Sequence, residues 1–385
     1  MKLTLRQQLE QFAHLLQSKL FPVLEEELGE ISKTNQSLIA VLNLIPLARF
    51  IPSSRGWMGR PSKDRVAIAR AFIAKAVYNF ENTRDLLDRL ASDRQLLAIC
   101  GWRHPRQVPH ESTFSRAFAE FAEMQLPQLV HEALIRETQK DRIIGHIARD
   151  STDIEVREAV AETARQRAPK QKSKARARSR NHKPRKARQA GDPPTRLERQ
   201  RTMTLEEMLA ELPSHCTSSA KVSSDGHNQY WSGYKLHLDV ADGQIPISAV
   251  LTSAHVHDSQ VAIPLSTMTA QRVTPLYEIM DAAYDAQEII DHVRAQGRVP
   301  IIPPVARGRK SNSEIVRNYP RQLSPAEEQR YRERTMVERT YGRLKDEFGG
   351  RFVRVRGGVK VMAHLMFGVL ALTADQLLRF VSDSG

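Results

Sequence analysis

The spacing of apolar residues predicts helices over residues 1–140. The apolar residues at mostly three- and four-residue spacing, which give a helix one apolar face, are Leu9, Phe12, Leu15, Leu16 and Leu20. Three further helices are predicted, each beginning near a residue whose side chain can cap a helix. These capping residues are Ser62, Thr83 and Ser112. We therefore expect an all-helical N-terminal domain.

Beyond residue 140 the pattern changes to short apolar runs typical of strands. These runs are residues 142–150, 233–240, 246–252, 276–281 and 299–303. A helix is predicted over residues 287–295, between the last two strands. Three strands followed by strands alternating with helices is the order of a ribonuclease-H-like α/β domain. A doubly wound nucleotide-binding fold is disfavoured, because no glycine-rich loop follows the first strand. The predicted second domain covers residues 141–385.

The composition adds a cellular context. The segment 361–374 is apolar but broken by His364 and Gly368, and we interpret it as a buried helix too short to span a bilayer. Only two cysteines occur, Cys100 and Cys216, with no ligand pattern around them. A reducing cytoplasm, without disulfides or a zinc finger, is expected.

Positive charge is concentrated in one segment. The formal net charge is +14, and residues 165–188 alone hold twelve Lys or Arg and no acid. So many like charges repel one another and offer no apolar face, so we expect a disordered insert over about residues 164–201. The insert falls between the first two predicted strands. Such a segment suits DNA phosphates better than a merely solubilising role or a weak RNA contact.

The N-terminal helices leave two interpretations open. Several short helices suit a helix-turn-helix-like domain that reads DNA ends. A helical dimerisation or scaffolding domain fits the same pattern equally well.

Three acids stand where such an α/β fold could use them. Asp150 and Asp281 each end a predicted strand, and Glu338 lies in a strongly predicted helix. Two carboxylates at neighbouring strand ends cannot both ionise cheaply unless a cation lies between them. Mg²⁺ or Mn²⁺ is the natural partner of an all-oxygen site.

The helix that carries Glu338 is well specified. Ser324 and Glu327 form a capping box around Pro325, and Gly349 with Gly350 ends the helix. At about 100° per residue, one polar face roughly 60° wide carries Tyr331, Arg334, Glu338 and Lys345. The neighbouring stripe, predicted to be buried, carries Val337, Tyr341, Leu344 and Phe348.

The polar face resembles the Tyr-Arg-Glu-Lys signature of a large group of DDE insertion-sequence transposases. The matching residues are Tyr331, Arg334, Glu338 and Lys345, separated by two, three and six residues. The segments Asp150-Ser151-Thr152, Asp281-Ala282-Ala283-Tyr284 and Gly233-Tyr234-Lys235-Leu236-His237 are similar to further motifs of this family. The matches span residues 142–350. The basic insert departs from the family pattern, and the 57 residues from Asp281 to Glu338 leave no room for a large inserted β-domain.

The resemblance implies a mechanism. Asp150, Asp281 and Glu338 would hold two divalent ions, Mg²⁺ or Mn²⁺, for cleavage at transposon ends and strand transfer into target DNA. Tyr331, Arg334 and Lys345 would contact the DNA backbone near the cut. The expected partner is double-stranded DNA, bound by a homodimer, with no membrane involved and with the protein associated with the cytoplasmic nucleoid.

Other residues remain open as alternatives. His255 and His257 would face the same side of a strand and could bind a metal, but further ligands are not evident. His146 and His237 are expected to be packed, hydrogen-bonded histidines. Asp153, Glu155 or Asp285 could exchange roles with the proposed ligands. At the level of function, the alternatives are a non-catalytic repressor derived from a transposase and a ribonuclease-H-like nuclease without strand transfer.

Deletion of residues 165–188 tests the role of the basic insert. We expect weaker DNA affinity and a shallower dependence of that affinity on salt, because fewer phosphates would be neutralised. Folding should persist, since the segment has no apolar face to bury. Binding titrations over a range of salt concentrations measure the slope, and an unchanged slope would mean that the insert does not touch DNA.

Overall fold

The fold begins with a group of helices that share one apolar core. A computed structural model describes residues 4–52, 63–140, 142–160, 193–222, 227–304 and 323–382. The helices before residue 140 are α1 (Leu5–Leu15), α2 (Phe21–Leu28), α3 (Lys33–Leu44), α4 (Arg65–Val77), α5 (Thr83–Ser92), α6 (Arg94–Cys100), α7 (Glu111–Glu123) and α8 (Leu126–Gln139). A π-helical segment, Leu16–Leu20, joins α1 to α2.

The helices α4, α5 and α7 are present, but their caps differ from the prediction. Asp64 caps α4 through the backbone N–H groups of Val66 and Ala67, whereas Ser62 lies outside the described residues. Asn82 caps α5, and His110 caps α7. In α5 and α7 a residue upstream of the predicted cap offers its acceptor to the first free N–H groups, so Thr83 and Ser112 lie inside the first turn instead.

The second half of the described chain forms a mixed sheet flanked by helices. Its strands are β1 (Ile143–Glu155), β2 (Thr217–Val222), β3 (Asn228–Ala241), β4 (Ile245–Ser253), β5 (Thr274–Ile279) and β6 (Val299–Ile301). The helices that flank or follow them are α9 (Arg196–Gln200), α10 (Leu205–Ala210), α11 (Ser259–Ala270), α12 (Gln287–Ala295), α13 (Pro325–Tyr331), α14 (Thr335–Glu347) and α15 (Gly358–Ser382). All five predicted strands are present, whereas β2 and the helices α9, α10 and α11 were not predicted.

The pairing of β1 decides which residues meet. β1 lies between β3, which is antiparallel to it, and β5, which is parallel. Ile143 pairs with Thr274 and Ala148 with Ile279. The same register carried two residues further aligns position 150 with position 281. On the other side, β3 continues to pair with β1 as far as Glu155.

The predicted disorder of the insert is wrong at its C-terminal end. Residues 164–192 lie outside the described residues, but 193–201 include α9, which begins with a capping box at Thr195. Arg199 pairs with Glu211, and Leu197 packs on the apolar cluster under α11 and α12. These residues are ordered because they have both an apolar contact and an acid partner, which the run of basic residues before them lacks.

A buried network of ion pairs holds β1, β3 and β5 together. The side chain of Arg149 is fully buried, and its Nε and Nη2 donate to Asp239 at 2.8 and 2.7 Å. Its Nη1 lies 3.0 Å from Glu278 Oε2 on β5. Arg298 also pairs with Glu278, and Thr269 and Ser266 of α11 donate to Asp239 and Glu278. Two cations thus face two anions in a region that excludes water.

The last helix, α15, packs between the N-terminal helices and the sheet. It contacts α1, α3, α4, α7 and α8 on one side and β4 on the other. The prediction that this apolar segment is too short to span a bilayer is wrong in length, because Gly358–Phe380 is long and apolar enough by composition. Its most apolar window is 72% buried inside the protein, in agreement with the buried helix that was predicted. Because α15 serves both halves, their division into two domains near residue 140 stays a prediction.

Replacing Arg149 tests the buried network. Arg149→Met should lower the free energy of unfolding by about 3–5 kcal/mol, because Asp239 and Glu278 would remain buried without their shared cation. Arg339→Met, at an exposed position on α14, is the matched control and should change stability little. Urea unfolding of both variants measures the difference. Equal stabilities would show that the network does not hold the strands together.

Candidate active site

The sequence predicted that Asp150 ends its strand, but the structure places Asp150 inside β1. The strand continues to Glu155 because β3 pairs with it throughout. Pairing with β5, however, stops at Ala148, so the edge of β1 that faces β5 is open beside Asp150. The carboxylate accepts a hydrogen bond from the backbone N–H of Ser151 at 2.8 Å, and 21% of the side chain is exposed.

Asp281 lies two residues after β5, at the same open edge. It begins a short 3₁₀ turn, Ala282–Tyr284, and its Oδ1 accepts from the backbone N–H of Ala283 at 2.9 Å. The parallel register of β1 and β5 aligns it with Asp150. The register of β1 and β5 therefore brings Asp281, which follows β5, beside Asp150, so the predicted meeting of the two acids arises inside β1 and not at two strand ends.

The electrostatics of this pair indicate crowded negative charge. Burial raises the pKa of Asp150 to about 6, and the nearby charges of Asp281 and Asp258 add to that rise, against the hydrogen bond from Ser151 and the charge of Arg334. Burial likewise raises the pKa of Asp281, with a further contribution from Asp258. Carboxylates in such surroundings favour a bound cation over isolated ionisation.

Arg334 places a cation between two of the predicted ligands. Its Nη1 lies 3.2 Å from Asp150 Oδ2, and its Nη2 lies 2.6 Å from Glu338 Oε1. The guanidinium thus bridges the strand acid and the helix acid. Tyr331 lies beside it, with the Arg334 guanidinium carbon 5.9 Å from the ring centre. Burial raises the pKa of Tyr331, and Asp281 and Asp150 are close enough to contribute.

The donor chemistry around this bridge fits a hard divalent cation. Asp150, Asp281 and Glu338 offer only carboxylate oxygens, which Mg²⁺ and Mn²⁺ prefer. Among the residues that the structure describes, no group of three or more His, Cys, Asp or Glu side chains is already arranged to hold a metal. Glu338 instead pairs with Arg334, whose positive charge compensates part of the negative charge of Asp150 and Glu338.

The helix that carries Glu338 is interrupted, which the sequence did not predict. The capping box of Ser324 and Glu327 is present, but a 3₁₀ turn, Arg332–Arg334, separates α13 from α14. A uniform 100° per residue therefore does not hold between Tyr331 and Glu338. The predicted buried stripe is confirmed, since Val337, Tyr341, Leu344 and Phe348 are all buried.

Tyr341 fixes this helix against the site. Its hydroxyl lies 2.7 Å from the carbonyl oxygen of Asp150 and 3.0 Å from that of Leu236. A single phenol thus ties α14 to β1 and β3 beneath the acids. Lys345 lies farther along α14, where its Nζ is 3.6 Å from Asp153 Oδ1. The structure therefore brings Tyr331, Arg334 and Glu338 to Asp150, and Lys345 to Asp153.

Comparison with known proteins identifies the family. The transposase DDE domain family matches residues 141–374, which include all three acids and the polar face of α13 and α14. The chain belongs to the DDE transposase family. A second family, described as a transposase domain, matches residues 26–120 within the helical half. Members of the DDE family generally use divalent metal ions.

Curated relatives point the same way. Two probable transposases for insertion sequence element ISH11, from two strains of Halobacterium salinarum, are 26% identical to this DDE transposase family member over 152 residues. The match covers 37% of this chain and 46% of each relative, so the chain spans about half the length of these relatives. No solved structure matches the chain.

The other sequence candidates lie in ordinary structural surroundings. His255 and His257 follow β4 in a turn and not on a strand; their ring nitrogens bond to Thr217 and Ser259, respectively. His237 is buried and bonds to Thr252, and His146 bonds to Asp242, as expected of packed histidines.

Of the acids that could exchange roles with the ligands, Asp153 pairs with Lys221 and Lys345. Glu155 is exposed and Asp285 is buried, and their exchange with the ligands stays a prediction. No signal in the sequence singled out Asp258, whose charge nevertheless acts on Asp150 and Asp281.

A pair of substitutions on α14 tests the assignment of its buried side. Val337→Asp should lower the melting temperature strongly, because a carboxylate would be buried without a partner at a fully buried position. Thr335→Asp adds the same carboxylate at an exposed position near the start of the helix and should be tolerated. Thermal unfolding compares them, and tolerance of Val337→Asp would mean that the faces of the helix are assigned wrongly.

Proposed function

We propose that this member of the DDE family is an active transposase that cuts DNA strands at insertion-sequence ends and joins the freed 3′ ends to target DNA. One observation carries the proposal: Asp150 and Asp281 meet at the open edge of β1, and Glu338 reaches the same place through Arg334. An all-carboxylate site in a DNA-processing family is suited to phosphodiester chemistry. Family membership supports the same reaction class.

Asp150, Asp281 and Glu338 are proposed to hold two divalent ions, Mg²⁺ or Mn²⁺. When bound, these ions would supply Lewis-acid stabilisation to the attacking and leaving oxygens of the phosphodiester. The protein's own contribution is to fix the acids. The backbone N–H groups of Ser151 and Ala283 orient the two aspartates, and Tyr341 holds the carbonyl of Asp150.

Arg334 is proposed to exchange partners when DNA binds. Two of its guanidinium nitrogens hold Asp150 and Glu338, and the same fork geometry suits two phosphate oxygens. If Asp150 and Glu338 held cations, Arg334 would be free to contact the DNA backbone beside the cut. Tyr331 stacks near Arg334 and, with Lys345 farther along the helix, is proposed to line the DNA path.

The finer features of the proposal follow from the same arrangement. Strand order supports a ribonuclease-H-like fold, because β4, β3 and β1 are joined antiparallel and β5 and β6 continue parallel to β1. The helical half is proposed to read the transposon ends, in a homodimer on double-stranded DNA, and the protein is proposed to act at the cytoplasmic nucleoid. The match of a transposase domain family to residues 26–120 supports a role of the helices in transposition.

Removal of each acid tests the reaction. Asp150→Ala, Asp281→Ala and Glu338→Ala should each lower strand cleavage by about 100-fold or more while end binding persists, because they remove metal ligands and leave the N-terminal helices intact. The substrate is a labelled duplex carrying the inverted repeats that flank the coding sequence, assayed for cleavage and for strand transfer. Asp88→Ala, at an exposed position on α5, is the control. Full cleavage by one of the three variants would remove that residue from the site, and cleavage without strand transfer by the unmodified protein would identify a nuclease.

A further inference from the structure

A fourth carboxylate, Asp258, lies beside the proposed metal ligands. It occupies the position before α11, where an aspartate usually caps the helix, but its side chain makes no capping hydrogen bond. Its Oδ1 instead accepts from Lys235 Nζ of β3 at 2.9 Å. The side chain is 23% exposed and that of Lys235 21% exposed, so the pair is largely shielded from water.

Lys235 is committed to this position by a second bond. Its Nζ also donates to the carbonyl oxygen of Val256 at 3.1 Å, so the ammonium group is fixed between the turn after β4 and the carboxylate. Burial alone would raise the pKa of Asp258, but the charges of His237 and Lys235, with hydrogen bonds from Lys235 and Ser151, bring that pKa below its ordinary value. Asp258 is therefore an ionised carboxylate.

The wall behind this pair contains polar atoms that lack partners. Among the described residues, His237 Nδ1 and the Tyr284 hydroxyl are buried without a hydrogen-bond partner. His237 Nδ1 lies 4.0 Å from Asp258 Oδ1. Burial lowers the pKa of His237 to about 4, so this ring is neutral near pH 7 and leaves Lys235 as the permanent counter-ion of Asp258. His237 Nδ1 and the Tyr284 hydroxyl, two buried polar atoms close to Asp258, thus have hydrogen-bonding capacity that the described residues do not use.

Asp258 acts on the acidic pair through charge and through Ser151. Its negative charge contributes to the raised pKa values of both Asp150 and Asp281, after burial as the main cause. The hydroxyl of Ser151 bonds to Asp258, while the backbone N–H of the same residue orients the carboxylate of Asp150. One residue of β1 therefore links the fourth acid to the first.

We propose that Lys235 and Asp258 are positioning residues that set the net charge of the acidic centre, by which we mean Asp150, Asp281 and Glu338. Asp258 strengthens the attraction of this centre for a divalent cation, and Lys235 limits that attraction. The inference rests on the proposed function, since it concerns the same metal site. Its consequence is specific, because neutralising the two residues changes the local charge in opposite directions. A purely structural pair would instead lose the same interaction in either variant.

Mn²⁺ binding to the full-length, DNA-free protein tests the inference by isothermal titration calorimetry. Asp258→Asn should weaken Mn²⁺ binding about three- to tenfold, and Lys235→Met should strengthen it by a similar factor, because each changes one charge near the site. The double variant should return to within about twofold of the unmodified protein. Asp258→Glu keeps the charge and should bind Mn²⁺ normally, which a packing role would not predict.

Controls separate the possible failures. Asp88→Asn in α5 and Lys33→Met in α3 make the same charge changes at exposed positions of the helical half. They should leave the affinity for Mn²⁺ unchanged. Thermal unfolding of every variant checks folding, and Lys235→Gln replaces Lys235→Met if that variant does not fold. Suppose that Mn²⁺ binding is lost in Asp150→Asn but is weakened or unchanged in both Asp258→Asn and Lys235→Met. This result would overturn the inference and leave the metal site of the proposed function standing. Unchanged binding in both Asp150→Asn and Asp281→Asn would overturn the metal site of the proposed function, and the inference with it.

Discussion

The arrangement of this protein depends on the buried cation of Arg149. It lies one residue before Asp150 and joins Asp239 of β3 to Glu278 of β5, the two strands that flank β1. Because the side chains of neighbouring strand residues point to opposite faces, clamping residue 149 on the buried face presents residue 150 on the other. A slip of one residue would bury the acid and expose the arginine. The network therefore fixes the face and the register on which the acidic centre relies.

The negative charges of Asp150, Glu338 and Asp258 are offset by cations from two different elements. Arg334, from the turn between α13 and α14, neutralises Asp150 and Glu338, while Lys235, from β3, neutralises Asp258. Arg334 is partly exposed and has a planar fork that phosphate can also accept, whereas Lys235 is held by a backbone carbonyl as well. Arg334 is therefore suited to exchange its carboxylate partners for phosphate, whereas Lys235 is suited to remain bound to Asp258. This difference distinguishes Arg334, which is proposed to contact DNA, from Lys235, which is proposed to position the site.

The helix that carries Glu338 is placed by packing as much as by hydrogen bonds. Gly368 of α15 lies so close to α14 that an added Cβ would stand 2.5 Å from the carbonyl oxygen of Phe348. The absence of a side chain there lets the two helices touch, while Tyr341 ties the same helix to β1. Since α15 also packs on the N-terminal helices, one core joins the helical half to the acidic centre. The helical half and the helix that carries Glu338 therefore share one continuous apolar core.

The sequence by itself determined the elements with strong local signals. Apolar runs predicted β1, β3, β4, β5 and β6, and the capping box at Ser324 predicted the start of the helix before Glu338. It missed β2, whose Thr, Ser and Lys residues give little apolar signal, and α11, whose Pro264 obscures the helical pattern. Residue spacing and family resemblance also named Asp150, Asp281, Glu338 and Arg334, which the structure brings together.

Only the tertiary structure decided what depends on pairing between distant segments. A periodic pattern assumes one helical geometry, so it could not show the 3₁₀ turn before α14 or the pairing of Lys345 with Asp153. Nor could local pattern reveal that Asp258 turns from its helix toward Lys235, because strand register and the turn after β4 set that contact. Local propensity determines where helices and strands begin. Contacts between charged residues far apart along the chain depend on the register in which the strands pair.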